Sequence, residues 1–127
     1  MYPSFSKALA SRRALVVLAL GIALPAPAFA HAVVVASDPA AGAALATAPT
    51  TVSIRFNSRL DHGRSRLLLI GAAGDQATLP ISPDSEPTVL EAPVTGIGPG
   101  SWRLRWQVLA VDGHITRGDI PFTIQAR

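Results

Sequence analysis

The sequence predicts an all-β protein, an immunoglobulin-like Greek-key β-sandwich of about seven strands. Three observations carry that expectation. Beyond residue 30, short apolar or alternating runs recur between clusters of Pro, Gly, Asp and Ser. No segment sustains a helical period over several turns. Each run has one apolar face, which a second sheet must cover.

Val33 to Ala36 is the first expected strand, ended by Ser37-Asp38-Pro39 and a small-residue turn through Gly42. Ala40 to Ala48 is rich in alanine and could hold a helical turn, but Gly42 and Pro49 interrupt it, so it reads as a connection. Thr51 to Phe56 alternates cleanly, with Val52, Ile54 and Phe56 on one face. Arg64 to Ile70 and Gln76 to Leu79 read as two strands around the turn Gly71-Ala72-Ala73-Gly74-Asp75. Thr88 to Ala92 is a fifth. In Ser101 to Val111, Trp102, Leu104, Trp106 and Val108 face inward, while Arg103, Arg105 and Gln107 face outward. Ile120, Phe122 and Ile124 close the domain.

The first 30 residues have the parts of a cleavable secretory signal. Lys7, Arg12 and Arg13 form a basic head, Ala14 to Leu24 an apolar run, and Ala28-Phe29-Ala30 a small-x-small cleavage pattern. The apolar run is shorter than the roughly 20 residues that span a bilayer. Ser11-Arg12-Arg13-Ala14-Leu15-Val16 resembles a twin-arginine export motif, and the run after it suits the general route equally well. The expected organisation is a signal peptide over 1–30 and a mature domain over 31–127. That domain has no second apolar stretch to insert in a membrane, and in a bacterium it would be periplasmic.

Charge and sulfur content then exclude several classes. The signal holds three basic residues and no acid, so the remainder, with eight Arg, no Lys and eight Asp and Glu, is formally neutral. Net charge therefore gives no argument for nucleic acid or an anionic membrane as partner. Cysteine is absent and the single Met is Met1, which removes disulfides, lipoprotein anchoring, zinc-thiolate sites, thiol catalysis and every soft sulfur ligand. Serine-triad, paired-carboxylate and phosphate-loop arrangements are not evident.

The chemistry-bearing residues are histidines. Cleavage after Ala30 makes His31 the mature N-terminus, where one residue offers a metal both its free α-amine and its imidazole. The second element is Val111-Asp112-Gly113-His114. In extended chain, positions i and i+2 point to the same side, so the carboxylate of Asp112 and the imidazole of His114 can converge on one ion. By itself this tetrapeptide favours a plain hairpin turn with His114 a surface residue beside it. His31 moves the balance, because amine, two imidazoles and one carboxylate complete a set of three nitrogens and one oxygen. Such a set in tetragonal arrangement suits Cu(II), with Zn(II) second, whereas Cu(I) prefers the absent sulfur ligands. The donors must lose protons first, so affinity is expected to climb between about pH 5 and 8.

The mature sequence resembles the periplasmic copper-binding CopC family (copper resistance protein C). The residues that carry the resemblance run from His31 through Ser37-Asp38-Pro39-Ala40-Ala41-Gly42 and Val52-Ser53-Ile54-Arg55-Phe56. They continue with Pro99-Gly100-Ser101-Trp102-Arg103-Leu104-Arg105-Trp106, then Ala110-Val111-Asp112-Gly113-His114 followed by Gly118 and Phe122. The resemblance implies one Cu(II) per chain held by the amine and side chain of His31 with Asp112 and His114. It implies no Cu(I) site, since a Met-rich loop is missing, and it implies transfer to a CopD-type inner-membrane copper transporter. Two departures stand out. Ser58 stands where relatives often carry a Glu near the copper, so an acid there must come from elsewhere, with Asp61 a candidate, and Gly113 replaces a common Thr, which is expected to loosen the loop. His62 reads as a solvated loop residue, with an accessory role near the metal the lesser reading. Arg59, Arg64 and Arg66 read as a solvated face, with a docking patch for an acidic membrane partner the lesser reading.

The function expected is that of a copper carrier or buffer that performs no catalysis. An N-terminal His with a second His is also the copper brace of lytic polysaccharide monooxygenases, the enzymatic alternative. Against it, Phe56, Trp102, Trp106 and Phe122 all sit at inward positions, leaving no aromatic face for a glycan. A metal-free immunoglobulin-like interaction domain is the third reading.

Overall fold

A computed structural model describes residues 32–126; residues 1–30, where a signal is expected, His31 and Arg127 lie outside the described residues. Eight strands follow in order: β1 (Val34–Asp38), β2 (Ala43–Leu45), β3 (Thr51–Phe56), β4 (Arg66–Gly71), β5 (Gln76–Leu79), β6 (Val89–Pro93), β7 (Gly100–Leu109) and β8 (Ile115–Ile124). Among the described residues one 3-10 turn, His62–Arg64, precedes β4. The strands form two sheets, β1-β3-β6 and β2-β8-β7-β4-β5, so the expected sandwich is present.

The alternation in the sequence is what closes it. Val52, Ile54 and Phe56 of β3 and Leu104, Trp106 and Val108 of β7 are all buried and share one core with Leu67, Leu90, Ile120 and Phe122. Phe56 and Trp106 meet across the sheets edge to face, with ring centroids 5.0 Å apart and planes at 73°, an arrangement favoured by the ring quadrupoles. Trp102 is only half-buried, and its Nε1–H donates to the Gly98 carbonyl at 2.9 Å.

Strand ends shift by one or two residues, with β1 running on through Asp38, β4 starting at Arg66 and β7 stopping at Leu109, and two elements differ more, for physical reasons. Ala43–Leu45 is a strand rather than a plain connection. Alanine has little β preference of its own, and the pairing comes from the parallel register Ala43↔Phe122 to Leu45↔Ile124. β8 also begins at Ile115, earlier than the apolar alternation announces. The inward positions Thr116 and Gly118 are not apolar, because one serves a hydrogen bond and the other makes room for an indole. Gly118 lies opposite Trp106, and a Cβ there would sit 2.5 Å from Trp106 Cζ2. The long β7–β8 hairpin, paired from Gly100↔Ile124 to Leu109↔Ile115, carries the Asp112–His114 segment at its tip.

Candidate metal site

The tip is a tight hairpin whose bonds fix both side chains. Gly113 N–H donates to Ala110 O at 2.8 Å, and Ala110 N–H donates to His114 O at 2.9 Å. Between them Gly113 has φ +95°, the left-handed conformation that a three-residue hairpin loop reserves for glycine. This corrects the expectation of a loosened loop: glycine here satisfies the turn, and a β-branched residue would strain it. The route to convergence also differs from an extended i, i+2 pair. Asp112 Oδ1 accepts the His114 backbone N–H at 3.1 Å, and Asp112 Oδ2 lies 3.2 Å from His114 Nδ1. Donation from that backbone N–H, and then from the ring, holds the Asp112 carboxyl below its ordinary value, so it is an anion near neutral pH. Both groups are exposed at the tip.

The start of the described chain docks on the same end of the sandwich. Ala32 is buried, and its carbonyl accepts from Thr116 Oγ1 at 3.4 Å, two residues past His114. Val33 N–H donates to Asn57 Oδ1 at 2.8 Å, while Asn57 N–H returns a bond to Val33 O at 3.1 Å. The Asn57 segment is in turn tied to the tip, since Val111 N–H donates to Arg59 O at 3.1 Å and Asp61 N–H to Leu109 O at 2.8 Å. Asn57 and Thr116 are residues that sequence reasoning missed. Asn57 follows the end of β3 and Thr116 takes an inward β8 position; polar residues there signal a bond to be made rather than a core contact.

The remaining polar groups nearby are committed elsewhere. Asp61 Oδ1 accepts the Arg64 N–H at 3.2 Å and caps the 3-10 turn, and Ser58 Oγ donates to Arg59 O at 3.3 Å. His62 is not a freely solvated loop residue: it is half-buried, and its Nε2–H donates to the Val89 carbonyl of β6 at 2.7 Å. Among the described residues no group of three or more His, Cys, Asp and Glu is placed to hold a metal ion. The described part of the molecule thus brings together two of the three expected ligand residues, Asp112 and His114; the third, His31, lies just outside it.

A CopC domain model matches residues 34–125. The chain belongs to the CopC family. It is similar to CopC from Methylosinus trichosporium OB3b, with 26% identity and a TM-score of 0.69 over 75% of this chain and 94% of that one. The methionine-rich copper resistance protein PcoC from Escherichia coli shares the fold, with a TM-score of 0.62 at 24% identity over 76% of this chain and 100% of that one. Protein YobA of Escherichia coli (strain K12) is 29% identical over 94% of this chain and 98% of its own. Copper transport protein CutJ of Bacillus subtilis (strain 168) is 28% identical over 87% of this chain, which spans only 21% of that longer protein. Among the described residues no helix is long and apolar enough to cross a membrane.

Proposed function

We propose that this CopC-family protein is an exported Cu(II) carrier or buffer of the periplasm, binding one ion per chain through the α-amine and imidazole of His31, the Asp112 carboxylate and the His114 imidazole. The observation that carries the reading is the docking of Ala32 beside Thr116. His31 precedes Ala32 directly in the chain, and a trans peptide spans only about 3.8 Å between Cα atoms, which supports the proposal that its donors reach the hairpin tip. The nitrogen-rich set with one anionic oxygen fits Cu(II) in tetragonal coordination, and nothing in the mature sequence offers sulfur for Cu(I). Residues 1–30 act as the signal whose removal creates the ligand.

Catalysis is not part of the proposal. Asp112 as a ligand would take up a position that dioxygen chemistry needs open, and Phe56, Trp106 and Phe122 are buried rather than displayed to a polysaccharide. The receiving partner is a CopD-type inner-membrane transporter.

The test uses protein purified after export, whose N-terminal sequence should begin at His31. Cu(II) titration should give one site with a tetragonal, nitrogen-rich electron paramagnetic resonance spectrum. One extra residue ahead of His31, or His114→Ala, should weaken binding by orders of magnitude. Unchanged affinity in either variant overturns the assignment.

A further inference from the structure

Formal neutrality conceals a separation of charge across the sandwich. Register partners place Arg66, Arg103, Arg105 and Arg117 together on the outer face of the five-stranded sheet, with Asp119 the one acid among its described residues. That carboxylate is shared: Arg105 Nε reaches Asp119 Oδ1 at 2.9 Å and Arg103 Nη1 reaches Asp119 Oδ2 at 3.4 Å. Arg117 Nε–H donates to the neutral Gln107 Oε1 at 2.8 Å, and no acid among the described residues forms an ion pair with it. The other side has the opposite sign. Asp38 and Glu91 line the outer face of the three-stranded sheet, with Asp84 and Glu86 on the loop before β6 and Arg55 the one cation among the described residues of that face.

The basic face also has an apolar end. Among the described residues the exposed large hydrophobic ones are Val33, Val35, Val111 and Ile115; Val111 at 68% and Ile115 at 56% exposure flank the Asp112–His114 turn. The face of β7 and β8 therefore runs from dispersed guanidinium groups to an aliphatic tip.

We propose that this face and tip form a docking surface for a bilayer rich in anionic phospholipid. Guanidinium groups pair with phosphate oxygens through parallel N–H donors. Laterally mobile headgroups can meet arginines spread over a flat sheet. Aliphatic side chains beside such a face gain by entering the headgroup boundary, as in other interfacial anchors. The acidic opposite face keeps the molecule oriented by repulsion. An acidic protein would answer the charges but gives no use for the bare aliphatic tip. Docked this way, the Asp112–His114 turn lies at the bilayer edge; its value for metal delivery rests on the proposed function, whereas the docking itself does not.

Co-sedimentation of the exported protein with vesicles tests this. Binding is expected to vesicles of equal parts phosphatidylglycerol and phosphatidylcholine at low ionic strength. It should be absent for phosphatidylcholine alone, and lost in about 1 M salt where the screening length falls to about 3 Å. Arg103→Gln with Arg117→Gln should lower partitioning about 30-fold, fivefold for each cation removed. Arg66→Gln, which breaks no ion pair, should lower it about fivefold with the fold intact by circular dichroism. Val111→Ser with Ile115→Ser should weaken binding while leaving its salt dependence unchanged. Equal binding to neutral vesicles, indifference to Arg66→Gln, or binding to soluble polyglutamate without binding to vesicles overturns the proposal. A copper titration of the same sample is read separately, so loss of metal binding with vesicle binding retained indicts the carrier reading alone.

Discussion

Asn57 should govern copper affinity without touching copper. Its side-chain oxygen takes the Val33 N–H at 2.8 Å, and its own N–H holds Val33 O at 3.1 Å, so Val33, two residues after His31 and just ahead of β1, is clamped from both sides. Asn57→Ala removes the first bond and leaves the second. A neutral hydrogen bond contributes a net of about 0.5–1.5 kcal/mol. If that energy is spent ordering the chain start over the hairpin tip, all of it appears in metal affinity, a rise in Kd of between about 2-fold and 13-fold. Asn57→Asp keeps an acceptor oxygen at the same place and should stay within about twofold of the parent. The assay is competition for Cu(II) against a chromophoric chelator at fixed pH, with each protein confirmed to begin at His31. The electron paramagnetic resonance parameters should be common to all three proteins, because the donor atoms do not change. An Ala variant with parental affinity, or Ala and Asp variants that lose affinity equally, refutes the reasoning.

Three further outcomes follow from the fold. Gly113→Ala forces a Cβ into a φ of +95° and should cost about 1–2 kcal/mol, read as a fall in thermal midpoint of several degrees for a domain of this size. Gly118→Ala places a Cβ 2.5–2.8 Å from two Trp106 ring carbons and should lower stability by about 1–3 kcal/mol, seen as a lower denaturant midpoint with an unchanged slope. Asp119 is held below its ordinary 3.8 chiefly by the Arg105 side chain, then by Arg103. A carboxylate with a depressed folded pKa stabilises the fold above its unfolded value and loses that contribution as pH falls through the folded one. Asp119→Asn should therefore melt below the parent at neutral pH, and the two curves should converge as pH drops below 3.8; a gap that persists in acid would tie the effect to shape rather than charge.

What was legible in the sequence follows from where side chains alone determine structure. β3 and β5 match their expected limits, Thr51–Phe56 and Gln76–Leu79, because an alternating apolar pattern and flanking turn residues are local signals. β2 was not legible, since Ala43-Ala44-Leu45 has no strand signal until β8 lies beside it. The first half of β8 was hidden because its inward residues answer to partners distant in sequence: Thr116 to Ala32, and Gly118 to Trp106. The site divides the same way. Asp112 and His114 were visible as a pair because they are neighbours. The roles of Asn57 and Thr116 were not, because each acts through a backbone group that only the folded sandwich delivers. His62 was misjudged for the same reason, its partner being the Val89 carbonyl of another strand.

That division also bears on how a carrier of this design could control its cargo. A chelate assembled from consecutive residues would form in an unfolded chain; the set proposed here joins the chain start to a hairpin far along the sequence, and Thr116 and Ala32, which link those regions, stand 84 residues apart. Metal affinity then depends on three conditions at once: a cleaved amine, a closed sandwich and an intact β7–β8 turn. The first ties binding to export, since an uncleaved chain lacks the α-amine donor. The second ties it to folding, because Asp112 and His114 converge in the described hairpin while His31 must be brought to them by β1. Only the third is local, and it is the one that a short tetrapeptide can announce. If the proposed ligand set holds, tight binding would wait until the chain has been cleaved and folded, which suits a carrier that must not take copper before then.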